Sequence, residues 1–374
     1  MSTTAAAVLR ARLVDQLNAD GFLHQDWWRD AFRAVPRETF VDQFTVMDQE
    51  GTRTQHDLKR DREAALATVY SDAVLLTQLD GDGIPTSSST APSLMALMLE
   101  HLEARPGHHV LEVGTGTGYN SALLSHALGD DNVTTIDVDR YLTDTASAAL
   151  AEAGYRPTVV CGNGANGVPE RAPFDRIIAT CGVDRVPAAW LGQLAPGGAI
   201  LVNVSKGIAL LSKQPDGSVS GRFLSGAGFM PLRAETDAAR LDARAVIDAT
   251  AGDADSTETV AAPDLPLRVG AFFAELVADR SQLVYLDGDD GQVVSYRWVH
   301  GGSGSWARVD LDGEQATVYQ SGPRRLWNEL GPILESWQAA GQPGLERYGL
   351  TVTPEGRHTL WLDEPGGPEW SLDG

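Results

Sequence analysis

The sequence predicts an α/β fold with a mostly parallel sheet, followed by a C-terminal α+β module. Apolar strand segments alternate with helical segments between residues 110 and 204, which favours right-handed crossovers between parallel strands. After residue 264, short strands joined by Asp-Gly and Gly-rich turns accompany one amphipathic helix. We therefore expect a main domain over 1–235, a linker over 236–263 and an accessory module over 264–374.

The N-terminal part is predicted to be helical as far as residue 34. Leu9, Leu13 and Leu17 repeat at four-residue spacing, and Pro36 should end the helical pattern. Residues 48–62 are polar and predict a surface loop or helix. A short strand is expected at 74–77, followed by a turn at 80–83.

Five consecutive hydroxyl residues, 86–90, precede Pro92. This pattern predicts a helix start, with Thr90 or Ser89 as the N-cap and Pro92 in the first turn. One hydroxyl is enough for a cap, so the surplus leaves two interpretations open. The segment is either a cap alone or a cap that also lines a ligand site.

A buried strand, a glycine turn and a helix are predicted over 110–124. Gly114, Gly116 and Gly118 form a G-x-G-x-G run, and Tyr119 stands where a dinucleotide fingerprint has its third glycine. Glu112 lies just before the run. This pattern resembles motif I of the Rossmann-like S-adenosylmethionine methyltransferases. A different nucleotide site or a purely structural turn is the alternative.

Further strands are predicted at 133–137, 158–161, 174–179 and 199–204, with helices at 142–153 and 186–194. Ligands of such sheets bind beyond the carboxyl ends of the strands. Asp137 ends one strand there and can hold ribose hydroxyls, or act only as a helix N-cap. Asn163 and Gly164 follow the next strand, where the Asn163 amide can meet an adenine edge or serve as a plain turn residue.

Residues 206–233 predict antiparallel strands that close the sheet edge, including one at 228–232. The linker over 236–263 is rich in alanine and aspartate, and we expect it to contain one helix. Six of the nine tryptophans lie after residue 264, and core packing and a peptide-docking face are both open for them.

Composition limits the classes of function. The net charge of −22 repels nucleic acid and either favours a basic peptide partner or serves solubility alone. The two cysteines, Cys161 and Cys181, lack metal-ligand spacing, so we expect no metal. No apolar run is long enough for a membrane span and no secretory signal is evident, which predicts a cytoplasmic protein without a membrane partner. We expect a monomer.

Five ordered blocks resemble the protein-L-isoaspartate O-methyltransferases. They are A-F-x-x-V-P-R-x-x-F-V (31–41), Y-S-D (70–72), T-A-P (90–92), V-L-E-V-G-T-G-T-G-Y-N (110–120) and A-P-F-D-R-I-I-A-T (172–180). The resemblance implies a Rossmann-like fold over 1–235 and S-adenosylmethionine as cofactor. It also implies a peptide or protein substrate bearing aspartate or isoaspartate.

Site residues follow from the same resemblance. It implies acceptor-side roles for Ser88, Ser89 and Thr90. It implies cofactor contacts at Ser87, Glu112, Gly114, Thr115, Gly116, Gly118, Tyr119, Asp137, Asn163 and Gly164.

Three departures from the family pattern bear on the substrate. Thr90 stands in place of the family's active-site serine, Asn163 replaces an aspartate, and the module after residue 240 is absent from the compact repair enzymes. The chain is similar to extended actinobacterial members that tailor ribosomally synthesised peptides. The expected function is therefore methylation of an aspartate in a macrocyclic peptide, leading to aspartimide or isoaspartate. Repair of damaged proteins is the alternative.

The expected chemistry needs no general base, because an aspartyl carboxylate is already ionised at neutral pH. The Asn/Asp-Pro-Pro-aromatic motif of amino-directed DNA methyltransferases does not occur, nor does the Pro-Cys of cytosine-C5 enzymes. A small-molecule O-methyltransferase and a non-enzymatic peptide-binding scaffold are the remaining rivals.

Overall fold

The computed structural model describes residues 3–48, 51–81, 83–233, 241, 243–263 and 265–372. Within these ranges the chain forms ten α-helices: α1 Thr3–Ala19, α2 Asp26–Ala34, α3 Arg62–Val69, α4 Pro92–His101, α5 Tyr119–Leu128, α6 Arg140–Ala153, α7 Ala188–Gln193, α8 Ala243–Ala249, α9 Leu267–Val277 and α10 Leu326–Ala339.

The same ranges contain nineteen strands. They are β1 Gln43–Met47, β2 Arg53–Asp57, β3 Leu75–Leu79, β4 Pro85–Ser89, β5 Val110–Val113, β6 Val133–Asp137, β7 Thr158–Cys161, β8 Phe174–Val183, β9 Leu194–Val204, β10 Gly207–Lys213, β11 Val219–Gly226, β12 Ser256–Ala261, β13 Ser281–Asp287, β14 Val293–His300, β15 Trp306–Asp312, β16 Gln315–Ser321, β17 Tyr348–Val352, β18 His358–Leu362 and β19 Glu369–Ser371.

A ten-stranded sheet forms the centre, in the order β19-β18-β17-β11-β10-β9-β8-β5-β6-β7. Strands β7, β6, β5, β8 and β9 are parallel, and β10 onward are antiparallel. All four residues of β5 are buried, as expected for a parallel strand covered on both faces. The predicted Rossmann-like α/β fold is confirmed, and the carboxyl ends of β5 and β6 lie side by side.

A small antiparallel sheet, β2-β1-β3-β4, precedes the central one. The polar segment 48–62, predicted as a surface loop or helix, instead contains strand β2, which pairs with β1. Pro92 lies in the first turn of α4, as predicted, but the hydroxyl residues before it form strand β4 instead of a helix cap, and Ser87 and Ser89 are buried against its neighbours. Helix α4 begins after Ala91 without a side-chain cap of its own; instead the Ser93 N–H donates to Asp72 Oδ1 at 2.8 Å.

The C-terminal residues are not set apart from the core. Strand β17 pairs with β11, so β17–β19 extend the central sheet. Phe272, Phe273 and Trp337 share one apolar cluster with Ile177 and Ile200 of the parallel strands. The burial of large apolar side chains on both sides of residue 264 joins the two parts into one core.

The expected linker contains one helix, as predicted, but it also contains a strand. Residues 234–240 and 242 lie outside the described residues, but α8 and β12 follow, and β12 pairs with β16. Strands β12–β16 form a second, five-stranded sheet in the order β12-β16-β15-β14-β13. Trp298, Trp337 and Trp361 are buried, which agrees with core packing of the tryptophans. No helix within the described ranges is long and apolar enough to cross a bilayer.

Candidate active site

A cleft opens where β5 and β6 end, between β4 on one side and residues 228–233 on the other. Its lining includes Ser87, Ser88, Ser89, Thr90, Glu112, Gly114, Thr115, Gly116, Tyr119, Asp137, Gly164, Thr180, Cys181 and the segment from Gly228 to Arg233. Most of the residues predicted for the site therefore meet here. Gly118 and Asn163 are the two that do not line the cleft.

The glycine turn is held in a conformation that other residues adopt with strain. Gly114 has φ +99°, and a Cβ there would lie 2.9 Å from Thr180 Oγ1. The Thr180 hydroxyl donates to the Gly114 carbonyl at 2.7 Å, and the Gly116 N–H donates to Asp137 Oδ2 at 3.0 Å. At Gly114 and Gly116 no side chain stands between the backbone and the cleft, which allows a cofactor to approach closely.

Thr115 and Gly118 have packing roles in the same turn. The Thr115 hydroxyl is buried and hydrogen-bonded to the Thr135 hydroxyl at 2.7 Å, so only the backbone of Thr115 faces the cleft. Gly118 has φ +86° before α5, and a Cβ would lie 3.1 Å from Ala146 Cβ of α6. Gly118 permits the close approach of α5 and α6 rather than contact with a ligand.

Glu112 is fully buried at the floor of the cleft. Its Oε1 accepts from Asn120 Nδ2 at 2.7 Å, and its Oε2 accepts from the Ser121 hydroxyl. Burial raises the pKa of Glu112 to about 7, against the opposing effect of these hydrogen bonds. The side chain ties β5 to the first turn of α5 and adds an acidic group to the floor of the cleft.

Asp137 ends β6 with its carboxylate in the cleft. Oδ2 accepts from the Gly116 N–H, and Oδ1 accepts from the Asp139 N–H at 3.1 Å. Each carboxylate oxygen has a second lone pair, so Asp137 can still accept hydrogen bonds from two hydroxyl groups in addition to these two N–H groups. The arrangement suits the adjacent hydroxyls of a ribose.

Asn163 serves as a turn residue, the simpler of its two interpretations. Its Oδ1 accepts from the Ala165 N–H at 2.9 Å and caps the short 3₁₀ helix Gly164–Asn166. Gly164 does line the cleft, and a Cβ there would lie 2.7 Å from Val113 Cγ1. The glycine keeps this wall of the cleft flat.

The hydroxyls of residues 87–90 divide into two sets, because successive side chains along an extended segment point to opposite faces. Ser87 Oγ accepts from Thr77 at 3.3 Å, and Ser89 Oγ accepts from Arg37 Nε at 3.1 Å. Among the described residues, the hydroxyls of Ser88 and Thr90 have no side-chain partner and line the cleft. These two are free to bind a ligand, whereas Ser89 is committed to Arg37.

Two features of the site were not predicted as functional. Arg37 is fully buried behind β4 and carries the R of the V-P-R block, which was the available signal. Residues 228–232 form no antiparallel strand. Instead, the Gly182 N–H donates to Met230 O at 2.8 Å and the Leu232 N–H donates to Gly182 O at 2.7 Å, which draws the segment across the cleft. No sequence pattern indicated that pairing.

The cleft offers few groups that could remove a proton from an acceptor, and the two carboxylates of its described lining, Glu112 and Asp137, are both held in hydrogen bonds to the protein. Among the described lining residues there is no histidine or lysine, and burial raises the pKa of the Cys181 thiol to about 12. No group of three or more His, Cys, Asp or Glu side chains within the described ranges has a metal-binding arrangement. The site therefore suits an acceptor that is already ionised.

A family model described as protein-L-isoaspartate(D-aspartate) O-methyltransferase matches residues 9–237. The chain belongs to this family. A protein-L-isoaspartate O-methyltransferase of Methanopyrus kandleri is 35% identical over 60% of this chain and 92% of the relative. The enzyme of that name from Thermotoga maritima is 36% identical over 50% of this chain, which spans about half (52%) of that relative.

One solved structure of a protein-L-isoaspartate O-methyltransferase has a TM-score of 0.57 and 25% identity, and its alignment covers 95% of this chain and all of the neighbour. The protein is thus a carboxyl methyltransferase of this family, and its methyl donor is S-adenosylmethionine. The match to this one solved structure extends well beyond residue 237, whereas 60% of this chain already covers 92% of the Methanopyrus kandleri enzyme.

Proposed function

We propose that this enzyme methylates the side-chain carboxylate of an aspartyl-type residue in a peptide, bound at the hydroxyls of Ser88 and Thr90. One observation carries the proposal. Two hydroxyls without a side-chain partner lie in a cleft whose described lining has no histidine or lysine to act as a general base and whose two carboxylates are held in hydrogen bonds to the protein. Hydroxyls can orient a carboxylate without protonating it, and an ionised carboxylate needs no base to react.

The proposed cofactor site is the glycine turn with its neighbours. Asp137 would hold the ribose hydroxyls, and the backbone of Gly114–Gly116 would lie against the amino-acid end. Ser87, Glu112, Tyr119 and Gly164 complete the walls. Bound S-adenosylmethionine supplies an electrophilic methyl group. The acceptor oxygen bonds to the methyl carbon as the methyl–sulfur bond breaks, which leaves S-adenosylhomocysteine.

As the acceptor we propose an ordinary L-aspartate in a ribosomally synthesised, macrocyclic peptide. The net charge of −22 repels the many acidic proteins that a general repair enzyme must approach, whereas a dedicated basic peptide is attracted. Methylation makes the acyl group reactive toward the next backbone nitrogen. Loss of methanol then closes a succinimide, most readily where glycine follows and a constrained loop holds the nitrogen close.

Repair of isoaspartyl damage is the second candidate, and a specific observation favours it. The relatives above are named protein-L-isoaspartate O-methyltransferases, and one solved structure of that name matches 95% of the chain. Two of the three sequence departures no longer separate the candidates. Asn163 is a turn residue, and the C-terminal residues have a counterpart in the solved neighbour. The third departure, Thr90 in place of the family's serine, still separates the two candidates.

Four matched peptides test the acceptor: linear and macrocyclic forms, each with Asp-Gly or isoAsp-Gly at the same position. With S-adenosylmethionine, the cyclic Asp peptide should gain one methyl group and then lose methanol in the mass spectrum. Hydroxylamine should trap the succinimide. Methylation of both isoAsp peptides with neither Asp peptide modified would reject tailoring in favour of repair, and no methylation of any of the four would contradict the proposed function.

A further inference from the structure

Arg37 is a fully buried arginine whose guanidinium lies directly behind β4, the strand that carries Ser88. It follows Pro36, whose fixed φ directs the chain inward after α2. Its donors reach one hydroxyl and five carbonyls: Ser89 Oγ at 3.1 Å, Val69 O at 2.8 Å, Ser71 O at 3.5 Å, Ala73 O at 3.1 Å, Ser89 O at 3.2 Å and Thr90 O at 2.9 Å.

This charge has no ion partner in contact with it. Among the described residues, no carboxylate oxygen lies within 4 Å of the guanidinium. Asp72 acts on it only through space and accepts the Ser93 N–H instead. Burial lowers the pKa of Arg37 to about 10, so the group is still a cation at neutral pH. A buried charge without a counter-ion is costly, and this one needs an explanation.

The position of the charge relative to the cleft supplies that explanation. Arg37 donates to the carbonyls of Ser89, which lies between the two acceptor residues, and of Thr90, which is one of them. The ring of Tyr119, which lines the cleft, lies 5.8 Å from the guanidinium carbon. Water is excluded from this layer, so the field of the cation reaches the cleft with little screening.

We propose that Arg37 is a specificity-determining residue: its charge favours an ionised carboxylate over a neutral amide at the acceptor position. The inference rests on the proposed function, since it needs the acceptor to bind at Ser88 and Thr90. The guanidinium fork has a second, separable effect. It fixes the register of β4, so that Ser88 and Thr90, rather than Ser87 and Ser89, present their hydroxyls.

Two substitutions separate charge from geometry. Arg37→Lys keeps the charge and loses the fork, whereas Arg37→Met keeps much of the volume and loses the charge. The probes are the best acceptor of the four peptides above and its counterpart with the acceptor carboxyl replaced by an amide. Their dissociation constants are measured by calorimetry in the presence of S-adenosylhomocysteine, so no turnover is required.

The wild-type enzyme should bind the carboxylate peptide at least about tenfold more tightly than the amide peptide. Arg37→Lys should retain that ratio but lower kcat. Arg37→Met should bring the ratio close to one while binding S-adenosylhomocysteine normally. A purely structural role would weaken both peptides equally and leave the ratio unchanged.

Equal affinity of the wild type for the two peptides, or an unchanged ratio in Arg37→Met, would overturn the inference. If Arg37→Met does not fold, the wild type and Arg37→Lys still test the inference. A ratio near one between the affinities for the carboxylate and amide peptides, in either protein, would overturn the inference. The absence of methyl transfer to any peptide would reject the proposed function instead, and that outcome is independent of the binding ratio.

Discussion

Asp137 is the side chain on which cofactor affinity should depend most strongly. Its two oxygens anchor the backbone of Gly116 and Asp139 and leave lone pairs for a ribose. We expect Asp137→Ala to weaken binding of S-adenosylhomocysteine by about 10- to 100-fold, as for loss of charge-assisted hydrogen bonds. Calorimetry measures the change. Asp144→Ala, an exposed acid on α6, the helix that follows β6, is the control and should leave the affinity unaltered.

Thr90 should matter for methyl transfer more than for cofactor binding. Its hydroxyl lines the cleft without a side-chain partner among the described residues. We expect Thr90→Ala to lower kcat by about tenfold and Thr90→Ser to restore most of it, because the serine keeps the hydroxyl. Single-turnover kinetics on the best acceptor peptide provide the measurement. A Thr90→Ala enzyme with wild-type kcat would remove Thr90 from the acceptor site.

Glu112 should make the stability of the protein depend on pH. Burial raises its pKa from 4.5 to about 7, so between these values the folded state holds a proton that the unfolded state has released. Stability therefore falls as pH rises through this window and stays lower above it. We expect Glu112→Gln to raise stability at pH 8 by at most about 3 kcal/mol and to have little effect near pH 5.

Thermal melts of the two proteins at pH 5, 6, 7 and 8 measure the effect. The amide can keep the contacts with Asn120 and Ser121, so the comparison isolates the charge. A melting difference that does not change across this range would mean that Glu112 titrates outside the window.

At the residue scale, the sequence predicted side chains that follow a strand and failed for those defined by distant contacts. Asp137 and Gly164 lie at strand ends, and the topology brings them into the cleft. Asn163 also follows a strand, but a local bond to the Ala165 N–H occupies its oxygen. The V-P-R block marks Arg37, but its contacts with carbonyls more than thirty positions away cannot be read from that block.

At the element scale, the glycine turn offers a matched pair of substitutions. Gly114 and Gly154 both have positive φ, +99° and +92°, but only Gly114 would place a Cβ against another residue. We expect Gly154→Ala to cost about 1 kcal/mol of stability and to bind cofactor normally. Gly114→Ala should push against Thr180, displace the turn and abolish detectable binding of S-adenosylhomocysteine. Equal cofactor affinity in the two variants would contradict the tight packing of the turn.

Strand β4 shows why the hydroxyl segment was assigned to the wrong element. Serine and threonine before a proline are typical of a helix N-cap, and that local signal was real because α4 does begin at Pro92. Pairing with β3 claims the preceding residues for a sheet, and Asp72 from the Y-S-D block supplies the cap. A hydrogen bond across 21 positions outweighed the local preference.

At the scale of the whole molecule, the C-terminal residues should be required for the stability of the parallel sheet. Phe272 of α9 is fully buried, with its ring 4.8 Å from that of Phe223 on β11. We expect Phe272→Ala to cost about 3–5 kcal/mol and calorimetry to show one unfolding transition that S-adenosylhomocysteine shifts as a whole. Tyr285→Ala, at an exposed position after residue 264, is the control.

Two separate transitions, with only one of them responding to the ligand, would show that the residues after 264 fold as an independent accessory module.

The sequence predicted strands 350–352 and 359–362 but not their partners. The alternation of apolar residues marks a strand without saying which sheet it joins. Pairing of β17 with β11 is decided by the apolar cluster that Phe273 and Tyr348 share, their rings 5.2 Å apart.

The central claim is that this cleft transfers a methyl group to a carboxylate, and the chemical stability of the product tests it most directly. The enzyme is incubated with the four peptides and S-adenosylmethionine labelled in its methyl group. Mild alkali is then added, and volatile methanol is collected. We predict that essentially all peptide-bound label is released as methanol, because a methyl ester loses its methyl group as methanol both on hydrolysis and on closure to the succinimide. Label that stays on the peptide after alkali would show transfer to nitrogen, sulfur or a hydroxyl, and would contradict the account.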